Sequence, residues 1–252
     1  MSFYVRIRRK SYIRNRGGGS DVYVRAFDFP ILLCVYIYWK PKNMNCPTRQ
    51  QIESTIKTKG YKWFENGDYN LNIVGVRNSE TSNEVTNKFD DHITLSYKNE
   101  GVWNFHCFDC TTDPGKHWVE NIMNESGVAI LKPNQYRSSH KIGLHQGKYE
   151  ALRQQKPVQV YRDDNLDESY DLNEENVQEG IFGINIHRAT KYEGRKSSQI
   201  DKWSAGCQVI AANDDFSLFM EICNKAKDVW SNSFTYTLIE SKDLVYDLPP
   251  MA

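Results

Sequence analysis

The sequence predicts a mainly β fold with a few helices, of the α+β class. Eight short runs rich in β-branched and aromatic residues recur between Tyr69 and Glu240. Turn signals separate them, notably Asp113-Pro114-Gly115 and the Lys-Pro-Asn-Gln stretch 132–135. Helical spacing holds in two stretches only, too few for the strand–helix alternation of a doubly wound α/β domain.

From the N-terminus, residues 1–43 stand apart. They hold nine Lys and Arg against two Asp, a triple glycine at 17–19, and the apolar run 29–39. That run is too short for a membrane-spanning helix, which needs about 20 residues. No small-x-small cleavage site follows it, as a signal peptide requires. The segment reads as an extension outside the fold, with an added strand or hairpin and an anchor as alternatives. The folded domain is expected over 44–252, and the sequence leaves its localisation open.

Residues 46–60 predict a short helix, with Pro47 near its start, Ile52 and Ile56 on one face, and Gly60 at its stop. Strands are expected over 69–76, 92–98, 102–108, 127–131, 158–162, 180–187, 207–211 and 234–240. A second helix begins at Asn213, read as its cap, with Asp214 and Asp215 at the positive end. Phe216, Phe219, Met220, Cys223, Ala226 and Trp230 form one stripe along it, which assigns Cys223 to the core.

Composition narrows the functional classes. The 252 residues balance 32 Lys and Arg against 32 Asp and Glu, which argues against a dedicated nucleic-acid binder. No integral membrane span is expected, and no cofactor. Six cysteines are too sparse for a disulfide scaffold in a chain this long. Cys107 and Cys110 form a C-x-x-C beside His106, but no second ligand pair accompanies them, and the alternating run 102–108 reads as strand.

The stretch that carries chemistry is Trp203–Ile210, Trp-Ser-Ala-Gly-Cys-Gln-Val-Ile. Most cysteines only pack, so a nucleophile needs a base, oxyanion donors and access as well. Of the six histidines, His187 alone ends an apolar strand pattern, and sixteen residues separate it from Ser204. A strand-end imidazole beside Cys207 is expected to draw the thiol from about 8.5 toward the thiolate. Gly206 permits close backbone approach, which makes its N–H and that of Cys207 candidate oxyanion donors.

The pattern His187-x16-Ser204-x-Gly206-Cys207 resembles the catalytic signature of L,D-transpeptidases, the YkuD-type domain. The stretches 141–152, 160–165, 183–189 and 203–209 are similar to a divergent, phage-type branch, and the resemblance covers roughly 69–240. It implies an L,D-transpeptidase-like β-sandwich and cysteine-dependent acyl transfer or hydrolysis on peptidoglycan stem peptides at the cell wall. It also implies Cys207 as nucleophile through a thioester, His187 as base, and the Arg188 backbone carbonyl as the group that orients the imidazole. Where the family has His before the Gly, this chain has Ala205. That departure favours a second reading, a non-catalytic wall-binding or virion-structural module that retains the fold; intact Cys207 and His187 oppose it.

Two neighbouring features complete the reading. Lys141, His145 and Tyr149, with Ser204, are candidate substrate-groove residues, Lys141 offering a cation to a stem-peptide carboxylate; a polar strand edge is the plainer reading of the first three. Asp163, Asn165, Asp167, Asp171 and Glu174 occupy positions 1, 3, 5, 9 and 12 of a calcium-loop pattern. Glu168 stands where such a loop needs Gly, and no flanking helix pair is evident. A solvated acidic loop is therefore expected, and no metal.

Overall fold

A computed structural model describes residues 44–123 and 125–245, together with the backbone of two earlier strands. Those strands, β1 (Val22–Arg25) and β2 (Tyr36–Trp39), pair antiparallel within a separate compact unit, Met1–Asn45. The rest of the expected extension lies outside the described residues.

The second unit, Cys46–Ala252, is mainly β, with three helices among the described residues. It opens with α1 (Arg49–Thr58), closed at its start by a capping box: Thr48 Oγ1 accepts from Gln51 N–H and Gln51 Oε1 accepts from Thr48 N–H. Ile52 and Ile56 bury one face, and Gly60 follows with left-handed φ of 72°.

Then come β3 (Asn72–Arg77), β4 (Asp91–Asn99), β5 (Val102–Thr111), α2 (Lys116–Glu120), β6 (Val128–Leu131), β7 (Asn134–His145) and β8 (Tyr149–Gln154). The chain continues through β9 (Val158–Asp163), β10 (Gln178–Gly180), β11 (Ile186–Arg188), β12 (Gln208–Ile210), α3 (Asn213–Val229) and β13 (Phe234–Glu240). Eight strands close a barrel in the order β11-β12-β5-β4-β3-β13-β7-β8, and β10-β9-β6 form a smaller sheet. β3 is buried at every position because it lies between antiparallel β4 and parallel β13. The core runs from Ile73, Ile93, Leu95 and Phe108 through Leu152 and Ile186 to Phe219 and Leu238.

A disulfide joins Cys46, ahead of α1, to Cys107 on β5, with Cα atoms 6.3 Å apart. The sequence reading paired no cysteines, because a separation of 61 residues leaves no local signal. The same bridge removes Cys107 from any C-x-x-C metal pair.

Four expectations are corrected. β7 and β8 were anticipated only as a polar strand edge around Lys141, His145 and Tyr149, since Ser139, His140, His145 and Gln154 point polar side chains inward and hide the apolar alternation. The expected strand 180–187 is broken. Gln154 Oε1 accepts the N–H groups of Phe182 and Ile184, its Nε2 donates to Gly180 O, and Gly183 has φ 78°. One side chain thus replaces a strand partner, and only Ile186–Arg188 joins the barrel. In α3, Asn213 is the first helical residue and Ala212 the cap; the Asn213 side chain accepts from Arg188 instead. Trp230 lies outside the buried stripe, exposed, with its indole donating to Asp68 O at 2.8 Å.

Candidate active site

Cys207 stands one residue before β12, where the parallel ladder sets Ile186 beside Gln208 and His187 beside Val209. Extending that register puts Asn185 beside Cys207 and His187 two residues further on, along the same face. Ser204, fully buried, builds the turn that leads in. Its hydroxyl donates to Cys207 O (2.8 Å) and accepts from Gly206 N–H (3.1 Å), and its carbonyl accepts from Gly115 N–H (2.8 Å). Ser204 therefore holds the turn and does not face a groove, contrary to its expected substrate role.

Gly206 has φ 125°, and a Cβ there would lie 2.1 Å from the carbonyl oxygen of Ala129 on β6. Close approach is why glycine is needed here, and the expected oxyanion donor at Gly206 is already in use. The Gly206 N–H is engaged by Ser204 Oγ. The Cys207 N–H has no hydrogen bond among the described residues and is the donor the turn leaves available.

The Cys207 thiol donates to Gly183 O (3.3 Å), and the Asn185 backbone N–H points to the sulfur. Burial pushes the thiol up to about 11, and the Asn185 N–H offsets only part of this. Cys207 itself is half-buried, whereas His187 is buried; desolvation, with neighbouring His145 adding to it, pushes the imidazole down to about 3. Its Nδ1–H donates to the Arg188 carbonyl (3.0 Å), which places the proton on Nδ1 and leaves Nε2 as an acceptor. Both shifts run against the expected thiolate. At rest, a neutral thiol stands near a neutral imidazole, and the thiol's hydrogen bond goes to a carbonyl.

A second imidazole comes from the β7–β8 hairpin, which turns through left-handed Gln146 (φ 51°) and Gly147 (φ 72°). The pair Leu152–Ile186 joins β8 to β11, so the hairpin end lies next to His187. His145 stacks on His187 with ring centroids 4.3 Å apart, and the Asn185 amide donates to His145 Nδ1 (3.4 Å). Tyr149 packs on His145 and Phe216, and the Arg188 guanidinium lies 4.3 Å from the Tyr149 ring centre. Arg188 also donates to Asn213 Oδ1 (2.9 Å).

Lys141 is not brought to this site. It is exposed on β7 opposite Arg153, four residues from His145 and so about 13 Å along the strand. Arg188 is the cation present instead. Residues 190–203 border a cavity of about 670 Å³ lined by Thr190, Tyr192, Arg195, Lys196 and Trp203.

Sequence reasoning missed Gln208. Its Nε2 donates to Gly206 O and Thr112 O (both 3.3 Å), and its Oε1 accepts from Tyr236 Oη (2.7 Å). Arg77 Nη2 donates to the same Thr112 carbonyl (3.1 Å) and Arg77 pairs with Asp113 (2.9 Å), so a buried polar network supports the turn. The visible signal was a glutamine inside an apolar strand run. Among the described residues, no three His, Cys, Asp or Glu side chains are gathered to hold a metal ion. Glu174, the expected twelfth calcium ligand, is drawn away to Lys132 and the Tyr161 hydroxyl. Among the described residues, no helix is long and apolar enough to cross a membrane. No family model, curated protein or solved structure matches this chain.

Proposed function

We propose that this protein is an L,D-transpeptidase-like cysteine enzyme that opens a peptide bond of peptidoglycan stem peptides through a Cys207 thioester. The observation that carries the reading is His187: its Nδ1–H is held on the Arg188 carbonyl, and its bare Nε2 belongs to a ring on the ladder face shared with Cys207. The family's sandwich belongs to the same reading. β8 and β11 meet through one registered pair and β12 and β5 through two, so the barrel is thinly paired at the two joints where a sandwich would divide into two sheets. The Cys46–Cys107 bridge suits an oxidising compartment such as the cell wall.

In the reaction the thiol turns from Gly183 O, and its proton passes to His187 Nε2 as Sγ attacks the substrate carbonyl carbon. A C–S bond forms and the oxyanion meets the Cys207 N–H. Collapse breaks the C–N bond, and the leaving amine takes the proton from His187. An amine or a water then attacks the thioester, passing a proton through His187 to the departing Cys207 sulfur. Arg188 is placed to hold a stem-peptide carboxylate.

Ala205, and a resting thiol that bonds a carbonyl, favour the rival reading of a non-catalytic wall-binding or virion-structural module. Intact-protein mass spectrometry after incubation with a stem tetrapeptide separates the two. The enzyme reading expects an acyl adduct on Cys207, and at least about 10³-fold slower turnover in Cys207→Ala. Stem-peptide binding with no adduct and no turnover establishes the rival.

A further inference from the structure

The loop after β9 departs from the solvated acidic loop expected from its sequence. Asp163, the last residue of β9, is only 1% exposed, and neither carboxylate oxygen makes a well-formed hydrogen bond. The Asn165 backbone N–H is the donor closest to making one. The charges that face Asp163 are the carboxylates of Asp171, Asp167 and Asp164. A buried carboxylate with neither partner nor counter-charge is costly, and proteins resolve such a site with a proton or a cation.

The nearby cations are committed elsewhere. Lys116 pairs with Glu168, Lys132 with Glu174, and Arg162 donates to Gln178 Oε1 and Gly127 O. The loop is also built at both ends. Gly127, with φ 72°, packs against the Asp163 carbonyl, where a Cβ would lie 1.8 Å from the oxygen. At the far end Ser169 bridges Glu84, Tyr170 N–H donates to Asn83 O, and Tyr170 Oη donates to Pro114 O (2.6 Å).

We infer that residues 163–171 form a calcium site anchored by the buried carboxylate of Asp163. Asn165 and Asp167, at alternate positions after Asp163, and Asp171, four residues further on, supply the remaining side-chain oxygens. Glu174 is not part of it, so the site is shorter than the twelve-residue pattern. All the donors are oxygens, most of them charged, and beyond Asp163 they lie on a segment outside the helices and named strands; that set suits calcium, which accepts six to eight oxygens in flexible geometry. Because no cage is already gathered, Asp167 and Asp171 swing toward Asp163 on loading. The inference is independent of the cysteine chemistry.

The full chain, stripped of metal and melted with and without 5 mM calcium or magnesium, tests it. Calcium is expected to raise the melting temperature by about 4 °C once it exceeds Kd about tenfold. Terbium is expected to give tyrosine-sensitised luminescence through Tyr170, displaced by calcium. Asp163→Asn and, as a variant less exposed to folding effects, Asp171→Asn should each weaken calcium binding at least about tenfold. A melting temperature unmoved by calcium, an equal shift from magnesium, or undiminished binding in both variants overturns the inference.

Discussion

The protonation state of Cys207 makes the sharpest prediction, because two common cysteine mechanisms differ there. If burial holds the thiol up at about 11 and His187 down at about 3, the resting pair is neutral throughout the working pH range. Compared with an ordinary thiol near 8.5, the thiolate at pH 7 is then about 300-fold scarcer. A more basic sulfur is intrinsically more nucleophilic, by about tenfold over that interval, so the net expectation is alkylation about 30-fold slower than for an exposed thiol. The perturbation is pH, and the assay is the iodoacetamide rate at Cys207, followed by peptide mass mapping between pH 6 and 10. The logarithm of the rate should rise by about one per pH unit across that range. His187→Ala should leave the slope unchanged, since the imidazole carries no charge to lose. A rate that is flat from pH 6 to 9, and falls on removing His187, shows a thiolate–imidazolium pair and refutes the argument from burial.

Two further expectations follow from the backbone. Gly206→Ala forces a Cβ to within 2.1 Å of a backbone oxygen at φ 125°, and should cost about 3 kcal/mol or more; a calorimetric melt within about 2 °C of wild type would contradict the contact. Replacing Cys46 and Cys107 together by serine removes a bridge spanning 61 residues, worth about 4 kcal/mol on loop-closure grounds. The readout is the urea midpoint, and a wild-type midpoint unmoved by reductant would show that the bridge contributes nothing.

What the sequence made legible depends on whether a residue's role is local. The runs at 92–98, 102–108, 158–162 and 234–240 are strands where expected, because their β-branched and aromatic content survives in the chain text. β7 and β8 are hidden because their inward polar groups are satisfied from afar: His140 by Ile184 O, and Gln154 by Gly180 and Phe182. At the site, the strand end at His187 and the glycine turn before Cys207 were readable, and the β11–β12 ladder sets them on neighbouring strands. The charge state was not, since it follows from burial by elements far apart in sequence. Nor could spacing show that Ser204 would take the Gly206 N–H, that Arg188 and not Lys141 lies over the Tyr149 ring, or that His145 stacks on His187.

The Cys46–Cys107 bridge also changes what a protease can do to this molecule. It turns the chain from 46 to 107 into a covalent ring that contains α1, β3, β4 and half of β5. Exposed Asn83 and Glu84 lie on the segment of that ring between β3 and β4. A cut there opens the ring without releasing a fragment, so both new ends stay linked through sulfur and pinned to the barrel by their strands. The molecule can be nicked and still remain one covalent body, until a reductant separates the halves.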